Sequence, residues 1–285
     1  MNCECFICGG SSKLIYNKTR ENLPAKYYLC SKCGVVFQNK NEKKVDLKSY
    51  YQDCFREVCV DDAYLENQFL NRIPQGQKIL KNMEKDSVFY RLKNVFCPSK
   101  VLDVGCSSGA IMYVFSKMGF ITKGCDVKSI YSSYGKKKGL DIFFGFVEDY
   151  VNTSDDKYDY IILSHVLEHF SDPIAIISSL KKLLKDDGKL YIEVPNFEHP
   201  YDWKELQFFF MYGHEFYYTP TSLRYLLNKC GFCDVKFEEN YGGFMYGIFE
   251  KNERVIPHIK EGYSDYLYEL FNTELKEHDN RLVNK

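Results

Sequence analysis

Ten residues, Lys100-Val-Leu-Asp-Val-Gly-Cys-Ser-Ser-Gly109, constrain this chain more than any others. Apolar residues flank Asp103, a glycine-rich turn follows, and Ala110-Ile-Met-Tyr-Val-Phe-Ser-Lys-Met118 continues at helical period. A buried strand, a tight turn and a helix start, in that order, form the crevice of a doubly wound α/β sheet, where nucleotide-like ligands sit. Gly105 and Gly109 let the backbone turn and approach a ligand without a Cβ. Asp103, at the carboxyl end of the strand, is expected to point its charge into that crevice.

From residue 100 onward the pattern alternates. Strands are expected at 100–104, 121–126, 141–145, 158–164 and 188–194, with helices near 109–118, 128–138 and 172–185. Such alternation predicts parallel strands joined by right-handed crossovers. After a helix at 219–230, residues 233–239 and 244–249 face each other across Asn240-Tyr-Gly-Gly243 as a hairpin. The hairpin lays one antiparallel strand on the sheet and brings the strand count to seven.

Upstream, Cys5-Phe-Ile-Cys8 and Cys30-Ser-Lys-Cys33 are separated by 21 residues. Two such knuckles suit a closed tetrahedral zinc site, structural because no ligand position is left open. So small a segment has little core of its own, and a metal would hold it folded. Residues 1–40 are therefore expected to form a zinc module. Residues 41–98 should be a helical linker or cap interrupted at Pro74-Gln-Gly76, 99–252 the ligand-binding domain, and 253–285 an amphipathic C-terminal helix. That helix either docks on its own domain or pairs two chains in a homodimer.

Composition narrows the function. With 38 basic and 39 acidic residues there is no global field to recruit nucleic acid or an anionic membrane. No stretch approaches 18 consecutive apolar residues, and Met1-Asn-Cys-Glu-Cys5 lacks the basic and apolar regions of a signal peptide. Twelve cysteines in such a chain point to thiols and metal ligands in a cytoplasmic protein.

Asp126 ends the second strand, 23 residues after Asp103, where a carboxylate accepts both ribose hydroxyls of an adenosine ligand. Gly145-Phe-Val-Glu-Asp149 ends the third strand and would bracket the adenine. The fourth strand ends in Ser164-His-Val-Leu-Glu-His169, beneath the reacting end. On these residues the sequence resembles the class I S-adenosylmethionine-dependent methyltransferases over roughly residues 95–250. The resemblance implies that Asp103, Gly105, Cys106, Ser107 and Gly109 hold the methionine end of the cofactor. It implies further that Asp126 and Val127 hold the ribose, that Phe146 and Val147 line the adenine, and that Ser164 and His165 lie near the sulfonium. A cationic cofactor without phosphates calls for carboxylates and backbone carbonyls, and no Lys or Arg is expected in its pocket.

Gly105-Cys-Ser-Ser-Gly109 also reads as a hydrolase nucleophile elbow, but that fold needs strands upstream and residues 40–98 look helical. A dinucleotide fingerprint would want glycine where Ser107 stands.

The acceptor side is expected from the aromatic insert at 197–218. Its sharpest candidates are His214 and Glu215, because methyl transfer to a hydroxyl or carbon acid requires a base. His165, Glu168 and His169 also read as a metal patch on one helical face, although in this fold the segment is more often structural. Cysteine knuckles before this fold make the chain similar to deoxysugar C-methyltransferases. That likeness implies a small sugar-like or nucleotide-linked acceptor, with a tyrosine after the zinc segment, Tyr50 or Tyr51, reaching the active site. Those enzymes carry a Glu-His pair; here the order is His214-Glu215, so O-, N- and C-methylation all stay open. The alternatives are a methyltransferase whose zinc module reads protein or nucleic acid, and a non-catalytic scaffold.

Overall fold

The computed structural model describes residues 3–19, 21, 23–39, 61–83, 96–199, 209–239, 242–253 and 259–283. A seven-stranded sheet runs in the order β10-β11-β8-β7-β4-β5-β6. Its strands are β4 (Lys100–Val104), β5 (Ile121–Asp126), β6 (Ile142–Phe144), β7 (Tyr158–Ser164), β8 (Leu184–Pro195), β10 (Phe232–Glu238) and β11 (Phe244–Lys251). Strands β4 to β8 pair in parallel, and β11 inserts antiparallel between β8 and β10, as the hairpin predicts. The central strands are apolar on both faces because helices cover both sides: Val101, Leu102, Ile161, Ile162, Leu163 and Ile192 are all buried.

Helices α1 (Asp62–Met83) and α2 (Ala110–Lys117) pack together. The Pro74-Gln-Gly76 triplet does not interrupt α1, contrary to expectation. Pro74 forfeits the bond to the Leu70 carbonyl, but Leu70 lies on the solvent side, where water can take its place. Gly76 has a different use. A Cβ there would stand 3.0 Å from Val114 Cγ2 and 3.1 Å from Ile111 Cα, so glycine sets the close approach of the two helices. Helices α3 (Ser129–Lys137), α4 (Val147–Thr153) and α5 (Pro173–Leu183) complete the crossovers. Pro173 starts α5 where its missing N–H costs nothing, and Asp172 caps it by accepting from Ala175 N.

The N-terminal residues build a second sheet of β1 (Ser12–Tyr16), β2 (Tyr27–Cys30) and β3 (Val36–Gln38). Its fourth strand, β9 (Phe216–Tyr217), comes from the aromatic insert nearly 180 residues away. Cys5, Ile7, Cys30, Cys33 and Phe37 share one buried cluster with Leu223, Leu226 and Phe232, so the module is fused to the larger domain. Helix α6 (Pro220–Lys229) carries a Thr219–Ser222 capping box, and its Lys229 ammonium donates to Ile7 O at 2.6 Å. Helix α7 (Tyr263–Val283) docks on its own chain, one of the two roles expected for it. Leu267 and Phe271 are buried with Tyr27, Phe197, Phe210 and Tyr217.

Candidate active site

The turn after β4 is held by backbone. Gly105 N and Cys106 N both donate to Cys125 O on β5, at 2.8 and 3.2 Å. Gly105 has φ 68°, and a Cβ would stand 2.5 Å from Val166 Cγ2, so no side chain fits there. Ser107 adopts φ 52° without glycine's freedom. What holds it is its N–H, which donates to Asp126 Oδ2 at 2.8 Å, while Lys128 N donates to Oδ1 at the same distance. Each carboxylate oxygen of Asp126 thus has one backbone donor and lone pairs to spare. Burial still holds the Asp126 carboxyl above its ordinary range.

Asp103 does not reach the crevice as expected. It lies behind the turn at 1% exposure, and its Oδ2 has no hydrogen-bond partner among the described residues. Burial, reinforced by the Asp126 charge, pushes its carboxyl up to about 8. An orphaned buried acid beside a second carboxylate is an environment that a cationic ligand relieves and an anionic one worsens.

A cavity of about 880 Å³ opens in front of this turn. Gly105, Ser107, Asp126, Val127, Phe146, Val147, Ser164, His165 and His214 line it, all of them candidates from the sequence. Cys106, Gly109 and Glu215 do not: the Cys106 thiol packs on Gly124 in the core, and a side chain at Gly109 would meet Leu140. Glu215, buried at 2%, is not part of the cavity wall. Tyr50 and Tyr51 lie outside the described residues.

The cavity corrects one expectation, for Arg72 and Lys128 both line it. Arg72 comes from α1, a helix whose amphipathic spacing is visible in the sequence while its docking over the crevice is not. Glu168, His169, Met211, Gly213 and Phe244 also reach the cavity unannounced as acceptor-side residues.

Two histidines in this wall have opposite character. The His165 ring lies 3.1 Å from Glu193 Oε1 and 3.8 Å from Glu168 Oε1. Burial alone would lower its pKa, yet the Glu193 hydrogen bond and both carboxylates hold it above its ordinary value. Tyr191 OH donates to the other Glu193 oxygen at 2.7 Å and fixes that carboxylate. His165 also carries φ 56°, held by its N–H bond to Glu193 O at 2.8 Å. His214, by contrast, is pushed well below its ordinary value by burial and by the neighbouring His169 and His165. Burial thus favours the uncharged imidazole.

Glu168, His169 and His214 bring ligand-capable atoms within 4.8 Å of one another; the sequence grouping of His165 with Glu168 and His169 is replaced by this trio. His169 Nδ1 lies 2.9 Å from Gly213 O, and its ring meets His214 edge-on at 4.7 Å. Glu168 Oε2 and His214 Nδ1 are buried without hydrogen-bond partners among the described residues.

The four cysteines also converge. Their sulfurs lie within 4.8 Å of one another, Cys5 to Cys33 at 3.8 Å and Cys8 to Cys30 at 3.4 Å. Four sulfurs about 2.3 Å from a central ion stand roughly 3.8 Å apart, so the donor set fits a tetrahedral thiolate site.

This architecture defines a Rossmann-like methyltransferase. Residues 70–236 match the methyltransferase-domain family, and the chain belongs to it. It is 30% identical over 128 residues to the ubiquinone biosynthesis O-methyltransferase of Actinobacillus pleuropneumoniae serotype 5b, covering 41% of this chain and 54% of that protein. It is 33% identical over 107 residues to the enzyme of that name from Glaesserella parasuis, covering 34% and 45%. The chain thus spans about half the length of the curated relatives it matches. The same fold occurs in a SAM-dependent methyltransferase from Archaeoglobus fulgidus, with TM-score 0.51, 17% identity and coverage of 73% of this chain and 100% of that one. A protein from Pyrococcus horikoshii OT3 shares it with TM-score 0.50, 16% identity, and 72% and 99% coverage.

Proposed function

We propose that this methyltransferase acts on a small, sugar-like or nucleotide-linked acceptor, with His214 as the base. One observation carries the reading: a single cavity is lined both by Asp126, suited to a ribose, and by the buried His214 imidazole. Bound there, S-adenosylmethionine supplies an electrophilic methyl on a sulfonium leaving group. Asp126 accepts from the ribose hydroxyls while its backbone donors keep it in place. Phe146 and Val147 cover the adenine, and Gly105 with Ser107 lines the methionine end. Arg72 offers a guanidinium to the cofactor's carboxylate. His214 takes the proton from an acceptor hydroxyl, amine or carbon acid as the methyl is transferred, and Glu168 stabilises the resulting imidazolium. His165, raised by its hydrogen bond to Glu193 and by the Glu168 charge, orients the wall. Ser171 and Asp172 at the mouth supply hydrogen-bond partners for a polyhydroxylated acceptor. The four cysteines hold one structural zinc.

A phenolic acceptor is the second reading, favoured by the relatives named ubiquinone biosynthesis O-methyltransferases. Screening nucleotide sugars against catechol-type phenols for release of S-adenosylhomocysteine separates the two. With the acceptor in hand, His214→Ala should lower kcat by about 10²–10⁴-fold while leaving S-adenosylhomocysteine affinity intact. Wild-type turnover would remove the base role. Turnover lost on chelation and recovered with magnesium but not zinc would reassign His214 as a metal ligand.

A further inference from the structure

The cysteine module meets the 211–215 turn of the cavity through the β3–β9 ladder and through the side chains of Glu21, Tyr27 and Gln38, of which Gln38 reaches the most carbonyls. Strand β3 pairs with β9 at only two positions, Val36 with Tyr217 and Phe37 with Phe216. Gln38 N extends the ladder by one bond, to Glu215 O at 2.9 Å. Beyond that bond, side chains of the module reach residues 211–214: Glu21 Oε2 accepts from Tyr212 N at 2.9 Å, and Gln38 meets the carbonyls. Its amide nitrogen donates to His214 O at 2.6 Å and to Tyr212 O at 2.9 Å, with Met211 O at 3.4 Å. Tyr27 OH, 3.3 Å from the same nitrogen, donates to Met211 O at 3.0 Å. Gln38 is 3% exposed, so these bonds form out of water, where leaving the carbonyls unmet is costly.

We propose that Gln38 is a positioning residue: its amide clamps the 211–215 turn to the cysteine module and so fixes the His214 imidazole in the cavity. Among the described residues, the ring's aromatic and ligand-distance neighbours lie outside residues 3–39. It faces Glu168 and His169 from the turn after β7, with Tyr217 beside it and His165 contributing charge at longer range. Its location is therefore decided by its backbone, and three of the carbonyls in that backbone converge on one NH₂ group. A carboxylate at position 38 would face the same carbonyls as a repelling acceptor.

The proposal rests on the reading of His214 as the base, but its test does not need turnover. In Gln38→Met, which keeps the volume and the β3 backbone bonds, NMR titration of the His214 imidazole should move up toward the ordinary histidine value as the turn loosens and water enters. Amide exchange at Tyr212–Glu215 should quicken about 10-fold or more. Binding of S-adenosylhomocysteine and zinc content should stay within twofold of wild type. Gln38→Glu should be worse than Gln38→Met in both readouts, a ranking that a simple packing defect would not produce. Unchanged His214 titration and exchange, or accelerated exchange spread evenly over residues 100–195, would overturn the proposal. Should Gln38→Met fail to fold, Tyr27→Phe is measured in its place; it retains the ring, drops the hydroxyl clamp on Met211 O, and should shift the same two readouts in the same direction. No shift there overturns the proposal as well. If the NMR readouts move while kcat on an identified acceptor does not, the clamp stands and the base role of His214 falls.

Discussion

Two aspartates stand at the ends of neighbouring strands, Asp126 lining the cavity and Asp103 buried. Asp126 holds Ser107 and Lys128 by their N–H groups, and in the reading above it also accepts two ribose hydroxyls. A charged hydrogen bond contributes about 1.5–3 kcal/mol, so Asp126→Ala should weaken S-adenosylhomocysteine binding about 100-fold or more by calorimetry. Unchanged affinity would remove the ribose role. Asp103 gives a pH signature. Its carboxyl ionises near 3.8 in the unfolded chain and is pushed up to about 8 in the fold. Between those values the folded protein holds a proton that the unfolded chain has lost, so this group makes the ligand-free fold less stable as pH rises from about 4 to 8. Asp103→Asn should flatten that slope in thermal denaturation scans. A slope equal to that of wild type would show that Asp103 is ionised in the fold.

Among the elements, β9 and α7 bind the two halves of the molecule. The aromatic insert gives two residues to the N-terminal sheet, and α7 covers the seam with Leu267 and Phe271. Phe271 lies parallel to Phe197 and edge-on to Phe210, at 6.1 Å from each. Its truncation to alanine should cost about 3–5 kcal/mol in urea denaturation, the usual range for a buried phenyl. A loss below 1 kcal/mol would mean that the helix is not docked in solution. The cysteine module makes its own prediction. Metal analysis should give about one zinc per chain. Chelation should speed the labelling of Cys8 and Cys30 while Cys106 and Cys125, buried in the central domain, stay slow. A folded protein that is metal-free as isolated would refute the site.

At the scale of the whole molecule, the parallel strands and the single antiparallel insertion follow from a pattern visible in the chain, while the strand order does not. Period-two and continuous apolar runs marked the strands, and Lys100–Gly109 marked the crevice, because these signals are local in sequence. The cysteine pairs were legible for the same reason: a short loop can present only near neighbours to a metal. Long-range placement was not legible. Pro74 and Gly76 read as a break, yet their helix runs through because one face meets α2 and the other meets water.

The sequence by itself determined the sheet, the turn, Asp126 and the four sulfurs, each fixed by the spacing of a few adjacent residues. Only the tertiary structure decided that Arg72 overhangs the crevice, that Asp103 is buried behind it, and that Glu168 and His169 meet His214. It also decided that Gln38 reaches the 211–215 turn across more than 170 residues of sequence. The physical reason is that such contacts depend on how finished elements pack, and packing selects partners by shape and unmet hydrogen bonds whatever their distance along the chain.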